Sequence, residues 1–156
     1  MARPFERSTV IASLFDRLTD YEPKNSREVP PPERDQREAH KASVARDLTN
    51  LLNTRRSEAD IPEEFEYTRE SLAAYGVQDF TTAPMDREAI RRAVERTVRR
   101  FEPRLSRVQV TDVEGRHLTF SFRISGMLRV DLGAEAVVYD AELPTESRRF
   151  RVKAGR

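Results

Sequence analysis

Two histidines, a cluster of glutamates, a run of arginines and one Glu-Pro-Arg triplet are the residues whose types invite a chemical reading. Paired carboxylates hydrolyse glycosides when one of them is held neutral in an apolar pocket. Glu63, Glu64 and Glu66 cluster, but in a polar segment that reads as an exposed loop. Nucleophilic catalysis needs a base beside the nucleophile, and neither His40 nor His117 sits in an elbow or triad motif. His117 follows a turn and opens a strand, so it reads as a surface residue; His40 reads as solvated on a charged helix flank. The five glycines are scattered, which excludes a phosphate-cradling loop. Arg87, Arg91, Arg92, Arg96, Arg99 and Arg100 lie on one helix with Asp86, Glu88 and Glu95. No aromatic is interleaved there to stack bases, so the helix reads as a salt-bridged or protein-contact face. Glu102-Pro103-Arg104 stands where a helix must end and a strand begins. Proline there either punctuates the chain or holds two opposite charges rigidly for an ion pair with a partner.

Composition narrows the classes further. The chain has 156 residues, with 28 Lys plus Arg against 27 Asp plus Glu, and a net charge of +1. That balance argues against a free nucleic-acid binder, because the acidic residues screen the positive field. Without cysteine there is no disulfide framework, no thiolate nucleophile and no Cys-ligated metal. Two distant histidines make a weak metal site, and neither metal nor cofactor is expected. No apolar run approaches the roughly 18 residues of a membrane span, and the N-terminus lacks an apolar leader core. The expectation is a soluble intracellular protein. Of the basic residues, 25 are arginine and three are lysine. Arginine's planar fork suits bidentate pairing and interfaces.

The elements that must position these residues change period along the chain. Ser8 or Thr9 caps a first helix with Val10, Ile11, Leu14, Phe15 and Leu18 on one face, within residues 1–19. Residues 20–35, with Pro30-Pro31-Pro32, read as an exposed linker. A helix follows over 36–53, with Val44, Leu48, Leu51 and Leu52 inward and Arg46, Asp47 and Asn50 outside that stripe. A short helix fits 68–75, with Thr68 as cap and Gly76 just beyond its end. Asp86 caps the clearest helix, whose stripe is Ile90, Val94, Val98, Phe101 and Leu105. Thereafter the period is two: Val108 and Val110, then Leu118 to Ile124, then Val137 to Tyr139, and last Phe150 with Val152. Turns are expected at Glu114-Gly115 and 144–147, and a bulge or bend at Gly126. The fold class is α+β. N-terminal helices precede a small antiparallel meander packed on the helix 86–101, in one domain with its core in 36–156.

Several segments, in order, resemble one family. Residues 43–56, Ser-Val-Ala-Arg-Asp-Leu-Thr-Asn-Leu-Leu-Asn-Thr-Arg-Arg, resemble a signature of the TssE subunits of type VI secretion baseplates. Leu14-Phe15-Asp16-Arg17-Leu18 looks like that family's opening helix, and Ser71 to Phe80 its "S…YG-hydrophobic-x-D-F" segment. Phe101-Glu102-Pro103-Arg104-Leu105 carries its Glu-Pro-Arg motif, and Phe150-Arg151-Val152 its last strand. The family is related to baseplate wedge proteins of contractile-tailed phages, once called phage lysozymes. The resemblance implies structural work in the bacterial cytoplasm, within a membrane-docked baseplate. Glu102, Pro103 and Arg104 would anchor the subunit to a helical core bundle of other wedge subunits. The strands would seed the contractile sheath by strand addition, which uses an open sheet edge. The last strand, with Arg148, Arg149, Phe150, Arg151, Val152 and Lys153, is the candidate edge, its cations attracting an acidic partner. The expected partners are wedge and sheath subunits, with no nucleic acid, no membrane insertion and no small-molecule substrate. The alternative is a peptidoglycan-cleaving glycosidase. No glutamate in a plainly apolar cleft setting supports it.

Overall fold

A computed structural model describes residues 18, 33–56, 62, 64–78, 86–114, 118–130 and 133–155. The expected first helix, apart from Leu18, and the linker to residue 32 lie outside the described residues. So do His117, Glu63, and Asp79 with Phe80. The elements are α1 (Glu33–Asn53), α2 (Glu66–Glu70), a 3₁₀ turn (Leu72–Ala74), α3 (Arg87–Phe101), β1 (Leu105–Val113), β2 (Thr119–Val130), β3 (Gly133–Pro144) and β4 (Arg151–Ala154). This is the expected α+β order of helices, then strands.

The four strands form one antiparallel meander in the order β1-β2-β3-β4. Their alternation buries Val108, Val110, Phe122, Ile124, Leu128, Val137, Tyr139, Ala141, Leu143 and Val152. α1 contributes Val44, Leu48, Leu51 and Leu52 to the same core, and α3 contributes Ile90, Val94 and Val98. Both helices therefore cover one face of the sheet. Each fully buried aliphatic or aromatic side chain contributes about 1.5–3 kcal/mol of transfer free energy. The opposite face carries a cross-strand row Thr111–Arg123–Asp140–Lys153, in which signs alternate and Arg123 pairs with Asp140 at 3.0 Å.

Four sequence expectations need correction. α1 begins at Glu33 and not at 36, and Asp35 sits in its first turn, where an acidic group suits the helix dipole. The 68–75 helix is two pieces broken at Ser71, whose ψ of 176° is extended. Its hydroxyl accepts from the Ala73 N–H and donates to the Thr68 carbonyl, which is how serine competes with a helical ladder. Leu105 is not on the α3 stripe. The helix ends at Phe101, and Leu105 opens β1 while staying buried. His40 is not solvated but buried on α1.

Glycine is required at two places. Gly76 has φ +105°, and a Cβ there would lie 2.3 Å from the Thr54 carbonyl oxygen. The close approach lets the Val77 N–H donate to Thr54 O at 2.9 Å and the Arg56 N–H to Val77 O at 2.8 Å. Two of the family-like segments, 43–56 and 71–78, are thereby bonded to each other. Gly126 does not bulge itself. The register shift lies opposite it in β1, between Ser106 and Gln109, where Arg107 has φ 52°. A Cβ at Gly126 would stand 3.1 Å from the Ser106 carbonyl.

Candidate functional site: the Glu-Pro-Arg turn and the two sheet edges

α3 stops where Pro103 disfavours helical geometry in the residue before it. Glu102 takes the C-cap, its N–H bonded to Val98 O at 3.0 Å. The chain turns through Pro103, and Leu105 N–H closes on Glu102 O at 3.1 Å. This turn buries Glu102 (4 % exposed) and leaves Pro103 in solvent.

Arg104 folds back over the turn. Its Nε and Nη2 donate to the two oxygens of Glu102 at 2.7 and 2.6 Å, a bidentate pair. The backbone N–H of Arg104 adds a bond to Glu102 Oε1 at 3.2 Å. Nη2 also reaches Asp47 of α1 at 2.8 Å, and Nη1 reaches the Ser43 hydroxyl at 3.4 Å. The Arg104 carbonyl accepts from the Arg129 N–H at 2.9 Å. The triplet is thus riveted to α1 and β2. Burial alone would lower the Arg104 pKa; the Glu102 and Asp47 carboxylates outweigh it and hold it above the usual range. The ion pair that the sequence suggested for a partner is made inside the chain.

Two tyrosines border this cluster. Tyr75 meets Phe101 edge-on at 5.3 Å. Burial, then the charges of Asp47 and Glu102, push its hydroxyl pKa up. Tyr139 is 1 % exposed, and its hydroxyl has no hydrogen-bond partner among the described residues. Burial first, and the charge of Glu102 second, raise its pKa strongly.

The last strand lies at a sheet edge, as expected, but begins at Arg151 and not at Phe150. Phe150 spends its N–H and C=O on the Asn53 side chain, at 2.8 and 2.9 Å. The Val152 N–H donates to Thr49 Oγ1 at 3.3 Å. α1 therefore holds outward backbone groups of this edge. Arg149, Arg151 and Lys153 project into solvent, Phe150 and Val152 are buried, and Arg148 sits in the preceding turn with φ 48°. The β1 edge is held likewise. Arg91 donates to Val110 O at 3.0 Å, and Arg99 to Val108 O at 3.0 and 2.7 Å. Glu95 bridges both arginines at 2.9 and 2.5 Å.

Sequence reasoning missed Ser43, Thr49 and Asn53 as positioning residues. Their one signal was that they fall within the segment whose pattern stood out. Among the described residues no group of three His, Asp or Glu is placed to hold a metal. An open cleft of about 400 Å³ at the β1 bulge is lined by Arg99, Leu105, Ser106, Arg107, Val108 and Gln109, none of them a carboxylate. Glycoside hydrolysis needs two carboxylates across such a cleft. No helix of the described residues is long and apolar enough to cross a membrane.

Among the described residues, the charges of the Glu-Pro-Arg turn and of the two sheet edges are bonded within the chain, to α1 and to strand carbonyls. The family profile described as baseplate wedge protein gp25 matches residues 38–132, and the chain belongs to that family. The match spans α1 through β2 and includes the Glu-Pro-Arg turn. No curated protein and no solved structure matches the chain.

Proposed function

We propose that this protein is a wedge subunit of a bacterial type VI secretion baseplate. It attaches to the core bundle of the wedge through the Glu102-Pro103-Arg104 turn and seeds the contractile sheath through its strands. Its membership of a phage-like baseplate family supports the structural role. The observation that carries the anchoring is the rigid turn. Glu102 and Arg104 lock each other and bind α1, so Pro103 is presented outward on a fixed backbone. A preorganised loop loses little entropy on docking. The buried charges shape this surface, and Pro103 with the exposed rim of Arg104 makes the contact.

Sheath seeding through the last strand draws on the exposed cations Arg149, Arg151 and Lys153. A strand adding there must displace the Asn53 and Thr49 contacts to Phe150 and Val152. The protein acts without cofactor or metal, in the cytoplasm at a membrane-docked baseplate, and cleaves no substrate. The test is co-expression with the other wedge subunits of the native host. Arg104→Ala and Glu102→Ala are expected to lose wedge association. Pro103→Asp, which leaves the buried pair in place, is expected to lose it with the fold intact by circular dichroism. Wild-type-like association of a folded Pro103→Asp and a folded Arg104→Ala would refute the anchoring. Release of muropeptides by the purified protein, lost on a single Glu→Gln change, would instead establish a glycosidase.

A further inference from the structure

The six arginines of α3 divide into two sets. Arg87, Arg91 and Arg99 turn to the sheet, where they bind Asp112, the Val110 carbonyl and the Val108 carbonyl. Arg92, Arg96 and Arg100 face solvent. They recur at four-residue spacing, which puts successive guanidinium groups on one ridge about 6 Å apart along the axis. Arg92 touches Glu88 at 3.6 Å, with both groups more than half exposed. Arg96 and Arg100 make no ion pair with any described residue; Arg100 lies over the Phe101 ring at 5.4 Å. Of the nearby acidic groups, Glu95 is held by Arg91 and Arg99, Glu88 by Arg91 and Arg92, and Asp86 caps the helix. At Arg96 and Arg100 the ridge therefore carries positive charge with no ion-pair partner among the described residues, and in sequence it leads to the exposed Pro103 turn.

We propose that Arg92, Arg96 and Arg100 are a docking ridge for an acidic helix of a partner protein. Its carboxylates, at i, i+4 spacing, would lie about 6 Å apart to match the guanidinium groups. The inference rests on the wedge reading and specifies the chemistry of the partner. Three observations favour a protein over a nucleic-acid backbone. The chain's net charge is only +1, acidic residues flank the ridge, and no exposed aromatic of α3 lies between the arginines to stack a base. The exposed turn at Pro103 follows Arg100 by three residues, so the ridge ends next to it in the chain.

The experiment uses the full chain assembled with its wedge subunits. Arg96→Lys/Arg100→Lys keeps the charge and introduces amines into a protein with three other lysines, Lys24, Lys41 and Lys153. A zero-length carbodiimide then joins those amines only to carboxylates in salt-bridge contact. The expected product is a cross-link from residue 96 or 100 to an Asp or Glu of a wedge subunit. Arg96→Glu/Arg100→Glu is expected to weaken assembly at least tenfold and flatten its salt dependence, with an unchanged circular dichroism spectrum. Cross-links confined to the chain itself, or unchanged affinity of the charge-reversed protein, overturn the proposal. So does salt-sensitive binding of the wild type to a labelled DNA duplex that the reversal abolishes while wedge assembly persists. If the wild type fails to assemble, the wedge reading falls and this inference with it. If the wild type and the reversed protein assemble alike, the ridge alone falls.

Discussion

Replacing Arg104 with methionine tests whether the Glu-Pro-Arg turn is held from inside. The substitution keeps the aliphatic stem and removes the guanidinium that binds both Glu102 oxygens, Asp47 and Ser43. Glu102 has a side chain only 5 % exposed and would be left as a buried carboxylate facing one backbone N–H. Breaking a buried pair costs about 3–5 kcal/mol, because the remaining charge is stranded. The Arg104 side chain is 17 % exposed, so the lower end, about 3 kcal/mol, applies. With a urea m-value of about 2 kcal/mol/M, the unfolding midpoint should fall by about 1.5 M. Adding Glu102→Gln to Arg104→Met removes the stranded charge and should recover at least about 1 kcal/mol. Urea titration followed by circular dichroism gives both numbers. A single-variant loss below about 1 kcal/mol is what an exposed ion pair yields, and it would refute the internal-rivet argument.

Other expectations follow from the same geometry. Tyr139→Phe removes a buried hydroxyl that has no partner among the described residues, and should raise stability by up to about 1 kcal/mol in the same assay; a loss above about 1 kcal/mol would show that the hydroxyl is bonded. The folded-state pKa of Tyr139 lies above its unfolded value near about 10, so its contribution is fully present below that pH and is lost as pH rises. Ultraviolet titration should show part of the tyrosine absorbance change delayed until alkaline unfolding, and Tyr139→Phe should diminish that delayed part. Gly76→Ala places a Cβ against Thr54 O at a φ of +105°, and should cost at least about 2 kcal/mol by thermal melting. A neutral effect would mean that the contact of Val77 with the end of α1 is dispensable.

The core was legible because periodicity reports burial directly. Val44, Leu48, Leu51 and Leu52, spaced for one helical face, all reached the interior, as did the alternating Phe122 and Ile124. Local punctuation was read less well. Ser71 broke a helix that spacing had carried through, since a hydroxyl that captures neighbouring backbone groups leaves no periodic trace. His40 looked solvated among charged neighbours, yet helix orientation turned it inward. The Glu-Pro-Arg triplet stood out by its place between helix and strand. Its internal pairing did not, because Asp47 and Ser43 meet Arg104 only after the chain has returned from 57 and 61 residues away. The same distance hid the capping of the last strand by Asn53, 97 residues before Phe150. Such long-range polar contacts depend on tertiary placement, which sequence spacing does not encode.

In the proposed role, the chain is a structural wedge subunit docked through the turn at residues 102–104. Affinity purification of the full chain from its native host, with wild type and folded Pro103→Asp compared by quantitative mass spectrometry, tests it most directly. The expected result is that the wild type brings down the other baseplate subunits in fixed ratio and Pro103→Asp does not. Recovery of the wild type without baseplate subunits, or equal recovery of those subunits by both proteins, would exclude docking through this turn.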